Sequence, residues 1–261
     1  MRAFKAELCK LFSLPGIWLA FLIGAFFPAL IAVMVSLDNK KEIIAGVSTG
    51  LSDVGYWGLG YGVQGVIILG VLAVSSEYLI ESSESGGGRQ ITTSLTAVSS
   101  RLHFLLAKAG AVAVISILLC IVAIMTSVLA TYLILGEYTP VYEWSRLIGV
   151  VCYWTFTALL ALGVTLLTKN SIIPLAVLMI NSSVVSFSVL LYKVTKLALY
   201  LPDRAGLEML MFPSDKFSIP STDSLFDRFH TPVTGGLIMF AWVVAIFIVA
   251  AIVLHRRDVA S

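Results

Sequence analysis

The sequence predicts an all-α polytopic membrane protein with six transmembrane helices, an N-terminal amphipathic interfacial helix and short interfacial helices before the sixth span. Two observations predict this fold. The 261 residues are 59% hydrophobic and only 12% charged, whereas a soluble domain has roughly 25% charged residues. Six windows free of Asp, Glu, Lys and Arg are each long enough to cross about 30 Å of hydrocarbon as a helix. Lipid is therefore the expected solvent for most of the surface.

The chain is expected to form one transmembrane domain over residues 1–261. Thr168, Lys169 and Asn170 connect the fourth and fifth spans so tightly that these helices should be antiparallel neighbours. The apolar clusters of the long extracellular segment are too short to span and should lie on the outer interface. The expected divisions are an amphipathic helix at 1–14, spans at about 17–36, 55–76, 106–135, 147–168, 170–192 and 232–254, a cytoplasmic segment at 77–105 and an extracellular segment at 193–231.

The first fourteen residues predict a helix that lies on the inner face of the membrane. Phe4, Leu8, Leu11 and Phe12 recur at helical spacing, and Pro15 follows them. A membrane anchor and a docking surface for a partner fit this pattern equally well. Both ends of the chain are basic, which places both termini in the cytoplasm and requires an even number of spans.

The inner segment 77–105 contains three consecutive glycines, Gly86–Gly88. They lie between the acidic residues Glu77, Glu81 and Glu84 and the basic residues Arg89 and Arg101. This composition fits a contact site for a cytoplasmic partner, and it fits a solvated loop equally well. No G-x-x-x-x-G-K-[ST] sequence follows, so no phosphate-binding loop is predicted. A G-x-S-x-G match at Gly46–Gly50 is a coincidence, because no sheet is expected to raise a nucleophile there. The net charge of +2 is too small to indicate a basic surface that binds nucleic acid.

The predicted spans contain no Asp, Glu, Lys or Arg at mid-membrane depth. This absence argues against a pump driven by its own ion gradient. The polar side chains of the second and fifth spans join helices more often than they bind substrate. Gly58 and Gly62 form a G-x-x-x-G pattern, which fits an oligomer contact or a packing seam within the chain.

A further set of segments, taken in order, follows a recognisable pattern. They are Glu7, Lys10 and Leu11, then Gly70–Tyr78, Thr92–Val98, Arg101, Leu105–Lys108 and Arg256–Asp258. With the spans, these segments resemble the membrane (permease) subunit of an ABC-2 type transporter, of the small six-helix bacterial exporter type. Departures from the family pattern are Ser99 or Ser100 where the family has a proline, and a Ser/Gly-rich insertion at 82–88.

The resemblance implies a homodimer or heterodimer of permease subunits in the bacterial plasma membrane, working with a separate nucleotide-binding ATPase. ATP and Mg would bind the ATPase, so this chain would be a transport subunit, not an enzyme, and would have no cofactor of its own. Its cargo would be an antimicrobial peptide, a lantibiotic or a drug. The alternative is a non-transporting membrane anchor or sensor subunit. The implied ATPase contacts are Glu7, Lys10, Glu77, Arg89, Thr92, Thr93, Leu95 and Arg101, and the implied substrate path contains Gln64, Asn181, Ser182 and Ser186.

The predicted orientation can be tested with single reporter cysteines in a chain whose native cysteines have been replaced. Ser221→Cys should react with an impermeant thiol reagent on intact cells, whereas Ala6→Cys and Ala260→Cys should react only after lysis. Labelling of Ala260→Cys before lysis would overturn the six-span topology.

Overall fold

A computed structural model describes residues 2–45, 53–78, 100–182, 186–192, 194–210 and 230–256, and every regular element within them is helical. We number the helices in chain order. They are α1 (Arg2–Ser13), α2 (Pro15–Ile44), α3 (Tyr56–Tyr61), α4 (Val63–Ser75), α5 (Arg101–Leu135), α6 (Trp144–Thr168), α7 (Ile172–Asn181), α8 (Phe187–Tyr192), α9 (Pro202–Glu208) and α10 (Pro232–Arg256). Short 3-10 turns cover Ser76–Tyr78, Gly136–Tyr138 and Lys196–Tyr200.

Five segments of the described chain are long and apolar enough to cross a membrane. They are Pro15–Glu42, Tyr56–Tyr78, Arg101–Tyr138, Trp144–Thr168 and Pro232–His255. These correspond to the first, second, third, fourth and sixth predicted spans. The large apolar side chains that α2 and α10 expose, such as Trp18, Leu22 and Phe240, fit a surface solvated by lipid. The protein is therefore a membrane protein whose described part is all-helical.

The predicted fifth span, 170–192, does not form one continuous helix in the described residues. Its sequence forms the shorter helices α7 and α8, and residues 183–185 between them lie outside the description. The Asn181 side chain accepts a hydrogen bond of 2.9 Å from the backbone N–H of Phe187. An Asn side chain that bonds the backbone in this way competes with helical hydrogen bonding, which explains why α7 ends there.

Between the end of α6 and the start of α10 the chain has to run back along the bundle, because these two helices point in the same direction. The rings of Phe156 and Phe240 lie 6.0 Å apart, and Gly163 faces Ile246 further along both helices. The two pairs run in the same chain direction, so α6 and α10 are parallel neighbours. The turn after α6, with Lys169 at φ 53°, begins this return, and α7 and α8 lie along it.

Glycines of the second span form a packing seam inside the chain. A Cβ on Gly65 would lie 2.5 Å from the Cα of Gly24, and a Cβ on Gly58 would meet the carbonyl of Pro28. Gly70 similarly faces the backbone of Ala158 on α6. The G-x-x-x-G pattern is thus used for close contact with α2 and α6, and of the two readings left open by the sequence the internal seam is confirmed.

Helix α1 packs its apolar face against the bundle. Leu11 is fully buried, Phe4 and Leu8 are partly buried against the same core, and Gly110 on α5 faces the ring of Phe4. The amphipathic pattern is confirmed as a helix, and the surface that covers its apolar face includes α5.

Helix α9 and the two residues after it are predicted to lie on the outer interface, but the structure buries much of this segment. Met209 and Leu210 belong to the main core, and Gly149 on α6 and Gly235 on α10 both approach the backbone of this segment. Helix α9 and the two residues after it therefore fill the space between the amino ends of α6 and α10. The remainder of the predicted extracellular segment, 211–229, lies outside the described residues.

A methyl group added to the glycine seam should destabilise the bundle. We expect Gly65→Ala to lower the free energy of unfolding by about 1–3 kcal/mol, because the new Cβ would overlap backbone atoms of α2 that cannot move independently. Gly110→Ala is the matched control, since its Cβ would lie 3.4 Å from the nearest atom of the Phe4 ring. Denaturant unfolding in detergent measures both variants. Equal stability of the two would contradict the seam.

Candidate functional site: a buried charge network

Three helices meet in a network of charged side chains at one end of the bundle. Lys108 on α5 places its Nζ 2.6 Å from Glu7 Oε2 on α1 and 2.8 Å from Glu77 Oε1, just after α4. The same Nζ donates a hydrogen bond of 3.0 Å to the Ala73 carbonyl on α4. Lys10 on α1 adds a second contact, 2.6 Å from Glu77 Oε1. The two positive charges of the lysines and the two negative charges of the glutamates therefore neutralise one another.

The centre of this network is withdrawn from solvent. Lys108 and Glu77 are each 1% exposed, and Glu7 is 8% exposed. Removing such charges from water costs several kcal/mol for each ion, and only paired, hydrogen-bonded geometry offsets that cost. The Lys108 ammonium also lies 5.2 Å from the centre of the Phe104 ring, at a distance where a cation and an aromatic face attract one another.

Helical spacing explains how these residues meet. Glu7 lies three residues after Phe4 and four before Leu11, so it shares the face of α1 that packs on the bundle. Lys108 follows Phe104 by one helical turn, and α5 begins at Arg101 with a side-chain cap from Ser100. Because α5 begins at Arg101, before the predicted boundary at 106, Phe104 lies on the same helix as Lys108 and one turn before it.

The structure thus joins three of the predicted ATPase-contact residues to one another. Glu7, Lys10 and Glu77 form ion pairs inside the chain, and their contact with a partner stays a prediction. Lys108 entered the sequence analysis only as part of the resemblance. Its spacing of four residues from Phe104, at the edge of a long apolar window, was the available signal. Arg89, Thr92, Thr93 and Leu95 lie outside the described residues.

Arg101 has a different position from the other predicted contacts. Its Nη1 donates hydrogen bonds to the carbonyl oxygens of Leu254 and His255, the second at 3.2 Å. These carbonyls belong to the last turn of α10, where an α-helix has no internal donors for them. Arg101 therefore connects the amino end of α5 to the carboxyl end of α10.

The predicted substrate-path residues fall into two groups. Gln64 on α4 donates a hydrogen bond of 2.7 Å from Nε2 to Ser182 Oγ, and Asn181 lies beside Ser182 at the end of α7. Ser186 instead shares a hydrogen bond of 2.9 Å with Ser188. The Gln64–Ser182 bond joins two helices across the chain, as polar groups within membranes often do. A role of these residues in a substrate path stays a prediction.

A second buried ion pair lies at the opposite end of the bundle, and the sequence analysis did not predict it. Arg146 Nη2 at the start of α6 lies 2.9 Å from Asp53 Oδ1. Its Nε donates a hydrogen bond of 3.2 Å to the Leu210 carbonyl, and its guanidinium lies 3.8 Å from the centre of the Tyr56 ring. Arg146 therefore holds the segment after α9 against the amino ends of α3 and α6.

Nothing in the described ranges groups three or more His, Cys, Asp or Glu side chains as metal ligands. What the arrangement supplies is mechanical: buried ion pairs join helices at the two ends of the bundle. No family model matches the chain, and no curated protein matches it.

Removing the charge of Lys108 should destabilise the protein strongly. We expect Lys108→Met to lower the free energy of unfolding by about 3–5 kcal/mol, because Glu7 and Glu77 would be left buried without their common partner. Lys5→Met on the exposed side of α1 is the control and should change it by about 0.5 kcal/mol or less.

A triple variant, Lys108→Met with Glu7→Gln and Glu77→Gln, should recover part of the loss because it removes the unpaired charges together. Denaturant unfolding in detergent compares all of them. A Lys108→Met variant as stable as Lys5→Met would show that the network contributes nothing.

Proposed function

We propose that this chain is the transmembrane subunit of an ATP-driven exporter of the ABC-2 type, acting with a separate ATPase that binds ATP and Mg. The observation that carries the proposal is the buried charge network. It attaches α1, a helix at the end of the bundle, to the carboxyl end of α4 and to the amino-terminal part of α5. A force applied to α1 would therefore act on two membrane spans at once.

The force from the partner would enter through surfaces that lie outside the network. Lys5, Ala6 and Cys9 are exposed on α1, while Glu7 and Leu11 face the bundle. The partner would contact this exposed surface and the segment 77–105, with Arg89, Thr92, Thr93 and Leu95. In this scheme Glu7, Lys10 and Glu77 transmit the movement from beneath the docking surface, because packed interiors shift between discrete arrangements and do not deform continuously.

In the proposed topology the membrane is the bacterial inner membrane and both termini are cytoplasmic. The chain crosses it six times, and the broken pair α7 and α8 makes the fifth crossing. The parallel direction of α6 and α10 supports this topology, because the chain must cross once more between two parallel spans. The segment with α9 would lie at the outer surface, where its packing between α6 and α10 supports a role in closing that end of the path.

The proposed cargo is a hydrophobic or amphipathic compound, such as an antimicrobial peptide, a lantibiotic or a drug. Two permease subunits would form the path between them, with Gln64, Asn181, Ser182 and Ser186 along it. Helix α7 ends at Asn181, and Ser182 and Ser186 lie outside a helix. This supports the proposal, since non-helical backbone at membrane depth is tolerated where it is buried in protein or lines a water-filled cavity. The full sequence contains no phosphate-binding loop, so the energy would come from the partner.

The test is to look for an ATPase reading frame beside that of this chain and to co-express the two proteins. The complex should co-purify and hydrolyse ATP in reconstituted vesicles, and the permease alone should neither hydrolyse ATP nor accumulate cargo against a gradient. Uphill transport by the isolated chain under an ion gradient would contradict the proposal. A stable complex without transport would favour the anchor or sensor subunit.

Charge-reversal variants test whether the proposed docking surface binds the ATPase. Lys5→Glu and Arg89→Glu should insert normally and lose co-purification with the ATPase, because both would place an acid on the proposed contact surface. Lys41→Glu is the matched control, an exposed lysine at the opposite end of α2, and should bind like the wild type. Wild-type binding by both reversals would overturn the docking surface.

A further inference from the structure

The amino end of α5 and the carboxyl end of α10 enclose a groove of about 680 Å³. Its walls are mostly apolar, with Leu102 and Leu105 on α5 and Ala251 and Ile252 on α10. The volume lies within the range of about 300–1,000 Å³ that small-ligand sites occupy. The groove therefore has the size and the apolar surface to accept part of a hydrocarbon chain.

The end of this groove is polar and basic. Ser100, Arg101 and His255 line it there. An arginine remains positively charged at all physiological pH values. The groove thus combines an apolar trough with the positive charge of Arg101 at the end of two candidate membrane-spanning helices.

We propose that this groove binds an anionic phospholipid, with its phosphate at Arg101 and His255 and one acyl chain against Leu102 and Ile252. Basic pockets between transmembrane helices recognise the headgroups of acidic lipids through this combination of charge and apolar surface. The apolar walls select a lipid over free phosphate, since free phosphate would leave them uncovered. This inference does not depend on the proposed transport function.

The bound lipid would reinforce the contact between α5 and α10. Arg101 attaches α5 to the last carbonyls of α10, and α10 has the smallest buried share of the five candidate spans in the described residues. A ligand that binds only the folded protein stabilises it by mass action. An acidic lipid in the groove should therefore hold α10 against α5 and raise the stability of the whole bundle.

The experiment measures the thermal unfolding of the purified chain in vesicles of phosphatidylcholine, with and without added phosphatidylglycerol. Phosphatidylglycerol should raise the unfolding temperature of the wild type, and inorganic phosphate added to phosphatidylcholine vesicles should not. Binding of spin-labelled phosphatidylglycerol should be about tenfold weaker in Arg101→Gln, which loses a charged hydrogen-bond donor. Arg101→Lys should retain most of the binding.

A variant that fills the groove tests lipid binding without removing the hydrogen bonds that Arg101 makes to α10. Ile252→Trp should abolish the preference for phosphatidylglycerol over phosphatidylcholine, because the indole would occupy the place of the acyl chain. Ile248→Trp, one turn earlier and similarly exposed, is the matched control and should keep the preference. Equal stabilisation by both lipids, stabilisation by free phosphate, or an unchanged preference in Ile252→Trp would each overturn the proposal.

Discussion

The ammonium group of Lys108 constrains the arrangement of one whole end of the protein. A lysine on a mostly apolar helix can be buried only beside acceptors that replace its water. Glu7, Glu77 and the Ala73 carbonyl supply those acceptors from two other helices. The positions of α1 and of the end of α4 are consequently fixed relative to α5, and a short amphipathic helix becomes part of the bundle.

The middle of the bundle is held by close approach of backbones. Hydrocarbon around the helices is as apolar as their own side chains, so small residues that allow tight packing have to supply the attraction. Gly65 opposite Gly24 and Gly58 opposite Pro28 provide it between the second span and α2. Trp154 adds a hydrogen bond of 2.9 Å to the Leu59 carbonyl from α6. Charged contacts at both ends and glycine contacts between them complement one another.

This distribution of forces bears on the proposed function. The contacts at the two ends are directional and specific, made by Lys108 at one end and Arg146 at the other, whereas the apolar middle is free of ion pairs in the described residues. Helices joined in this way can tilt as units when one end is displaced. An exporter driven by a partner at its cytoplasmic end would use such rigid connections. An acidic lipid at Arg101 would then determine how closely α10 follows the movement of α5.

The sequence by itself determined the membrane character, the helical fold and the approximate limits of five long spans, because each depends on local hydropathy and helix length. It also predicted the amphipathic helix from the spacing of Phe4, Leu8 and Leu11. Only the tertiary structure decided that Lys108 pairs with Glu7 and Glu77 and that Lys10 pairs with Glu77. It also decided that Arg146 reaches Asp53 and that the glycines face α2 and α6. Those contacts join residues up to 101 positions apart, and neither hydropathy nor spacing carries information about which helices become neighbours. The break after Asn181 was likewise hidden, since its cause is a side chain that competes for backbone hydrogen bonds within an otherwise apolar window.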